Sequence, residues 1–150
     1  MSISVQLEDF DIKAETEKVT AGRTDIGALV TFTGLARDHA GTKTVEAMEL
    51  EHYPGMTERE LERIEKEAHE RWQLQASRII HRYGPLHPGE QIVLVITASA
   101  HRKDAFEAAE FLMDWLKTKA PFWKKETGPS GTHWVDAKVS DDEAAARWQK

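Results

Sequence analysis

The sequence contains no cysteine. That excludes disulfides, thiolate metal sites and a cysteine nucleophile, and any sulfur chemistry here would have to use imported sulfur, since the chain cannot carry its own persulfide. Long apolar runs are missing too. None approaches the roughly 20 residues of a bilayer span, and Met1 to Phe10 lacks the basic-then-apolar layout of a secretion signal, so a soluble, cytoplasmic chain is expected. An excess of positive charge is also absent: 20 Lys+Arg stand against 26 Asp+Glu, a formal net charge of -6. Polyanion binding by bulk electrostatics is thereby excluded. The glycines form no phosphate loop or dinucleotide fingerprint, no G-x-S-x-G elbow is present, and the seven histidines make neither a His-x-x-x-His pair nor an HExxH motif. No metal and no cofactor are expected, and neither internal repeats nor linkers interrupt the chain.

At 150 residues the chain can bury roughly 68–70% of its unfolded surface, so one domain spanning 1–150 is expected. Ile3 to Leu7 alternates as a short strand, and residues 11–21 are polar with weak helical spacing. Ile26 to Thr33 is apolar and β-branched, the composition of a buried strand, which Gly34 is expected to break. The loop that follows brings Arg37, Asp38 and His39 together. Val45 to His52 alternates again, with Met48, Leu50 and His52 on one face and Glu49 and Glu51 on the other. After the turn at Tyr53-Pro54-Gly55, Thr57 and Glu60 have the spacing of a capping box. Leu61, Ile64, Ala68 and Trp72 then mark the inner stripe of a helix, while charged residues from Glu58 to Lys66, Glu65 among them, are expected outside. Ser77 to Tyr83 and Gln91 to Ala98 read as strands separated by a turn-rich link over 84–89.

From His101 to Glu126 the sequence has chemistry at both ends of one helix. His101 and Arg102 follow directly on the apolar strand, where a strand hands over to a helix N-terminus and anions are favoured. Phe106, Ala109, Leu112, Met113 and Leu116 are expected to form the buried face, widened by Phe111 and Trp115. Pro121 ends the helix, and Lys117, Lys119, Lys124 and Lys125 crowd the turn with no acid between residues 117 and 125. Charge alone leaves two readings of these lysines open. They either complement the helix dipole as solvated groups or build a site for a small anion. Phe122-Trp123 begins a further strand, residues 128–131 turn it, Thr132 to Val139 returns as its partner, and Ser140 with Glu143 caps a last helix. Because strand pairs are adjacent in sequence, the class is α+β with antiparallel hairpins, not a doubly wound sheet.

The segments FTGLAR at 32–37, LEHYPGM at 50–56, AHR at 100–102 and FLMDWLKTKAPFWKKE at 111–126 closely resemble the family of large, catalytic subunits of molybdopterin synthases. The resemblance runs from about Asp25 to Trp148. It implies an α/β hammerhead-like fold with an additional antiparallel sheet. It also implies a sulfur transferase that converts cyclic pyranopterin monophosphate to molybdopterin. Sulfur would arrive as a thiocarboxylate on the C-terminal Gly-Gly tail of a small ubiquitin-like partner, and the large subunits would dimerise at the centre of a heterotetramer. Carried over residue by residue, the resemblance makes Lys117 and Lys124 the catalytic pair and places Arg37, His101 and Arg102 in the substrate-anion pocket. Leu35, Ala36, Lys125 and Glu126 would line the same pocket. Two positions depart from the family pattern: Ala36 stands where a valine is common, and Lys138 stands where an arginine reaching the neighbouring subunit is expected. A non-catalytic dimeric module that binds a small phosphorylated metabolite would use the same cations.

Overall fold

The computed structural model describes residues 2–40, 43–135 and 139–149. In chain order its elements are β1 (Ile3–Gln6), α1 (Ile12–Thr20), β2 (Ala28–Leu35), β3 (His39–Ala40), β4 (Lys43–Thr44), β5 (Ala47–His52) and α2 (Met56–Arg71). Then follow β6 (Leu74–Arg82), β7 (Gly84–Leu86), β8 (Gln91–Ser99), α3 (Arg102–Thr118), β9 (Phe122–Gly128), β10 (Gly131–Val135) and α4 (Val139–Ala146).

Two four-stranded sheets carry the architecture. The first has the order β1-β6-β8-β2, with β1 parallel to β6 and the other pairs antiparallel. Its strand β8 is apolar on both faces because both faces are covered. Ile79, Val93 and Val95 pack under α2 and α3 with Leu61, Ile64, Ala68 and Leu112, while Ile80, Leu94 and Ile96 meet Phe10, Ile12 and Val19 of the α1 region. The second sheet, β10-β9-β5-β7, is antiparallel throughout. The chain therefore has the expected α+β class with an additional antiparallel sheet.

Several local expectations give way to tertiary context. Gly34 does not end its strand. β2 runs through it with an irregularity before Leu35, and a Cβ at Gly34 would come 2.8 Å from Val93 Cγ1, so the glycine serves close strand packing. β2 lies at the sheet edge, and Leu29, Phe32 and Leu35 are exposed, so it is not the buried strand its composition suggests. A similar close approach occurs at Gly27, where a Cβ would stand 2.2 Å from the Ala100 carbonyl oxygen. The 35–43 loop contains the β3–β4 pairing, and the link over 84–89 contributes β7 to the second sheet.

The start of α2 also differs, since Gly55 is its N-cap and donates its N–H to Glu58 Oε1 at 3.0 Å, while Glu60 pairs with Arg63 instead. Thr57 is buried, and its hydroxyl donates to the Tyr53 carbonyl at 2.7 Å. Glu65 is buried rather than facing water: its Oε2 accepts from the Ser77 hydroxyl at 2.6 Å and from the Ser2 backbone N–H at 3.0 Å. Burial pushes that carboxyl above its ordinary range. On α3 the inner face is rotated from the expected one, running through Ala105, Ala108, Ala109, Phe111, Leu112, Trp115 and Leu116, and Phe106 is 60% exposed. β10 ends at Val135, and the remainder of the strand expected to Val139 falls partly outside the described residues.

Candidate active site

α3 spans the molecule and reverses the direction of β8. At its start, the Thr97 hydroxyl donates to the Ala105 carbonyl at 2.6 Å, and Asp104 accepts from the Gln73 N–H at 2.9 Å, which fixes this end beside the Leu74–Ser99 end of the first sheet. Its other end returns to the region where His81 pairs with Val93, and the Lys117 charge acts on His81 there. The exit from the helix is a tight turn in which Lys119 and Ala120 both donate to the Trp115 carbonyl, at 2.8 and 3.2 Å, and Phe122 donates to the Ala120 carbonyl at 2.7 Å. Pro121 sits inside this turn and stops the helix as its missing N–H requires.

β9 then decides which of the remaining lysines share a face. Paired with β5, it sets Phe122 opposite His52, Lys124 opposite Leu50 and Glu126 opposite Met48. Side chains alternate along a strand, so Phe122, Lys124 and Glu126 lie on the side of the buried Leu50 and Met48, which pack with Ala36 and Leu86. Lys124 Nζ lies 3.4 Å from Glu126 Oε2. Leu35, Ala36 and Arg37 reach this end because Leu35 pairs with Gln91 at the start of β8; Ala36 is buried there while Leu35 and Arg37 are exposed. Lys117, Lys124, Glu126 and the 35–37 segment are thus brought to one end of the chain.

Other expected members are placed elsewhere. Lys125 points to the opposite face of β9, 3.9 Å from Glu51 and 4.7 Å from the Trp134 ring centroid. Lys119 lines a cleft of about 290 Å³ among α2, α3 and the residues after α4, together with Arg63, Arg71, Trp115 and Trp148. His101 is the N-cap of α3 and Arg102 its first residue. Fifteen helical residues separate Arg102 from Lys117, a rise of roughly 22 Å, and β8 separates His101 from the Leu35 end by about 26 Å. One chain does not bring His101 and Arg102 to the lysines. Lys138 lies outside the described residues.

Phe122, Tyr83 and two histidines sit beside the lysines, and of these His81 and Tyr83 lie in none of the segments quoted above. The His81 ring stacks on Phe122 with centroids 3.8 Å apart and planes at 16°. His52 lies 5.9 Å from Phe122 and 4.4 Å from Tyr83, and its Nδ1 is 3.0 Å from the Thr57 hydroxyl oxygen. Burial pushes His81 down to about 4; its contact with the Arg82 carbonyl opposes this, and the charges of Lys117 and His52 add to the lowering. His81 is therefore neutral near pH 7. A histidine at the end of an apolar strand gives little sign of this from sequence, because the signal is which ring it meets across the fold.

Fold and site together define a two-sheet α+β protein with a cysteine-free basic site at one end of a long helix. Among the described residues, no cluster of three His, Asp or Glu side chains is arranged to hold a metal ion, and no helix is long and apolar enough to cross a membrane. The profile of the family described as MoaE protein matches residues 5–119, and the chain belongs to that family. It is 55% identical over 150 residues to the molybdopterin synthase catalytic subunit of Mesorhizobium japonicum, covering 99% of this chain and 93% of that one. A solved MoaE protein from Burkholderia ambifaria matches with a TM-score of 0.83 at 53% identity, covering 98% of this chain and 97% of that chain. A Helicobacter pylori chain, described in a complex of subunits 1 and 2 of molybdopterin-converting factor, shares the fold with a TM-score of 0.74 at 19% identity, covering 91% of each chain.

Proposed function

We propose that this chain is the catalytic subunit of a molybdopterin synthase. It is a sulfur transferase that converts cyclic pyranopterin monophosphate to molybdopterin, with sulfur from the C-terminal thiocarboxylate of a small ubiquitin-like partner. The observation that carries the reading is the turn after α3, which sets Lys117 and Lys124 at one end of a chain that has no sulfur nucleophile of its own. The names borne by its relatives agree with it.

In this reading Lys117 and Lys124 meet the anionic tail and the pterin phosphate, and a lysine amine can also serve as base or nucleophile. In each round the thiocarboxylate sulfur bonds to a pterin side-chain carbon as a carbon–oxygen bond there breaks, the oxygen leaving once as water and once with the phosphate as its ring opens, and water then cleaves the acyl–sulfur bond, so the tail leaves as a carboxylate. Two such rounds supply two sulfurs. A Gly-Gly terminus suits the approach because, lacking side chains, it passes where larger residues would clash. Leu35, Ala36, Arg37 and Glu126 line the site, and Lys125 on the outer face of β9 steers the incoming partner. In this reading His101 and Arg102 serve the site of a second copy in a self-dimer within a heterotetramer, which the length of α3 supports.

Mixing the chain with thiocarboxylated partner and the cyclic pterin tests the reading. Molybdopterin is the expected product, whereas a non-catalytic module for a phosphorylated metabolite would return the pterin unchanged.

A further inference from the structure

The span between the two lysines is short in sequence and crosses from a helix to a strand. Lys117 sits in the last turn of α3, Lys124 is the third residue of β9, and with no cysteine in the chain no disulfide holds the turn between them. Hydrogen bonds within the turn tie it to Trp115 but not to the first sheet. Ala120 packs against the core beneath that sheet, and one ring joins the start of β9 to it by a stack. His81, 7% exposed at the end of β6, lies flat against Phe122, the first residue of β9. The imidazole is itself fixed, since Nδ1 stands 2.8 Å from the Arg82 carbonyl oxygen. A carbonyl can only accept, so Nδ1 carries the proton and Nε2 the lone pair. Phe122 and Lys124 share a face of β9, so whatever fixes the Phe122 ring also fixes the direction in which Lys124 leaves the strand.

From this arrangement we infer that His81 is a positioning residue for the lysine pair, clamping Phe122 against the first sheet so that the end of α3 and the start of β9 present Lys117 and Lys124 to one substrate. The inference rests on the assignment of those two lysines above. Taking a proton from either lysine is not its role. With His81 at about 4 and lysine ordinarily near 10.4, proton transfer from a lysine ammonium to this imidazole is uphill by about six orders of magnitude. What the stack provides is place, and misplacement of reacting groups by about 1 Å can cost a hundredfold in rate. Neutrality matters in the same way, because a charged imidazole in this position would set a second cation beside Lys117 and weaken the stack's dry packing.

The test is steady-state product formation by the full complex of chain and thiocarboxylated partner, using wild type, His81→Ala, His81→Phe and Phe122→Leu. Expected is a fall in kcat of about ten- to a hundredfold for His81→Ala and for Phe122→Leu, with KM for the pterin within about twofold of wild type. His81→Phe keeps a flat ring and recovers most of kcat, although it has neither nitrogen. The double variant His81→Ala with Phe122→Leu is no slower than the worse single one. Should His81→Ala fail to fold, Phe122→Leu and His81→Phe carry the comparison. Wild-type kcat in Phe122→Leu, or His81→Phe as slow as Phe122→Leu, overturns the clamp. Absence of product from wild type sinks the functional reading and this inference with it, an outcome visible in a separate lane.

Discussion

Lys124 and Glu126, two residues apart on one face of β9, bring their charges to 3.4 Å. Lys124 is about a third exposed in its side chain, so the pair should contribute less than about 1 kcal/mol to stability. Its value lies in where it holds the ammonium. Glu126→Gln should therefore unfold at a denaturant midpoint near that of wild type while losing kcat/KM; a large stability loss with full activity would reverse this assignment.

Lys117→Ala should abolish product formation without disturbing the fold. The side chain is exposed and follows the core residue Leu116, so its removal opens no cavity, and the stability change should stay within about 0.5 kcal/mol. Lys124→Ala should be strongly impaired as well. Turnover at the wild-type rate by purified Lys117→Ala with charged partner would remove Lys117 from the chemistry.

The separation of Arg102 from Lys117 along α3 predicts complementation between copies. Arg102→Ala and Lys117→Ala chains, each impaired alone, should regain activity when unfolded together and reassembled. Random pairing puts half the molecules in mixed dimers with one intact site in two, so about a quarter of wild-type activity is expected from a closed two-fold dimer. No recovery above the separate chains would mean that Arg102 and Lys117 do not serve a shared site.

Delivery by a slender tail predicts that length matters more than affinity. A partner extended by one residue beyond its Gly-Gly should still bind, with affinity that weakens as salt rises, yet yield no molybdopterin. Normal product from the extended partner would rule out a tail that ends at Lys117 and Lys124.

Acidification should destabilise the chain through His81. Its folded value near 4 lies below the ordinary 6.5, so the unfolded state binds the extra proton first; stability is complete above about 6.5 and is lost as pH falls toward 4. The loss is on the order of 3 kcal/mol. His69 is lowered by burial and acts in the same direction, whereas Glu65, raised by burial, acts in the opposite one. Urea midpoints between pH 7 and pH 4 should fall less steeply in His81→Phe than in wild type, and equal slopes would show that His81 does not bury its neutral form.

The parts of the fold legible in sequence were those whose signal is local. β8 announces itself by a continuous apolar run, and Met48 and Leu50 by strict alternation, because a strand covered on both faces and one covered on a single face leave different periods. Glu65 and Phe106 were misplaced for one reason: helical spacing gives the phase of a face but not which neighbour covers its borders. Ser77 and Ser2 make the carboxylate's burial tolerable, and neither is near Glu65 in sequence. At the site, Lys117 and Lys124 were legible as a cationic cluster about a proline stop. His81 was not, since its significance depends on the register that sets the end of β6 beside Phe122. The length of α3 was readable all along, and fifteen residues of helix already forbid Arg102 and Lys117 from meeting within one chain.

The close approach at Gly27 would mislead any survey that scores variants only by growth on a molybdenum-dependent nutrient. Every side chain there must displace the Ala100 carbonyl, whose neighbour His101 opens α3, so position 27 should look as intolerant as position 117. The two failures differ in kind. Gly27 variants should vanish from the soluble fraction, whereas Lys117 variants should accumulate at normal abundance and titrate partner subunit away from working enzyme, making them the dominant ones in a mixed population.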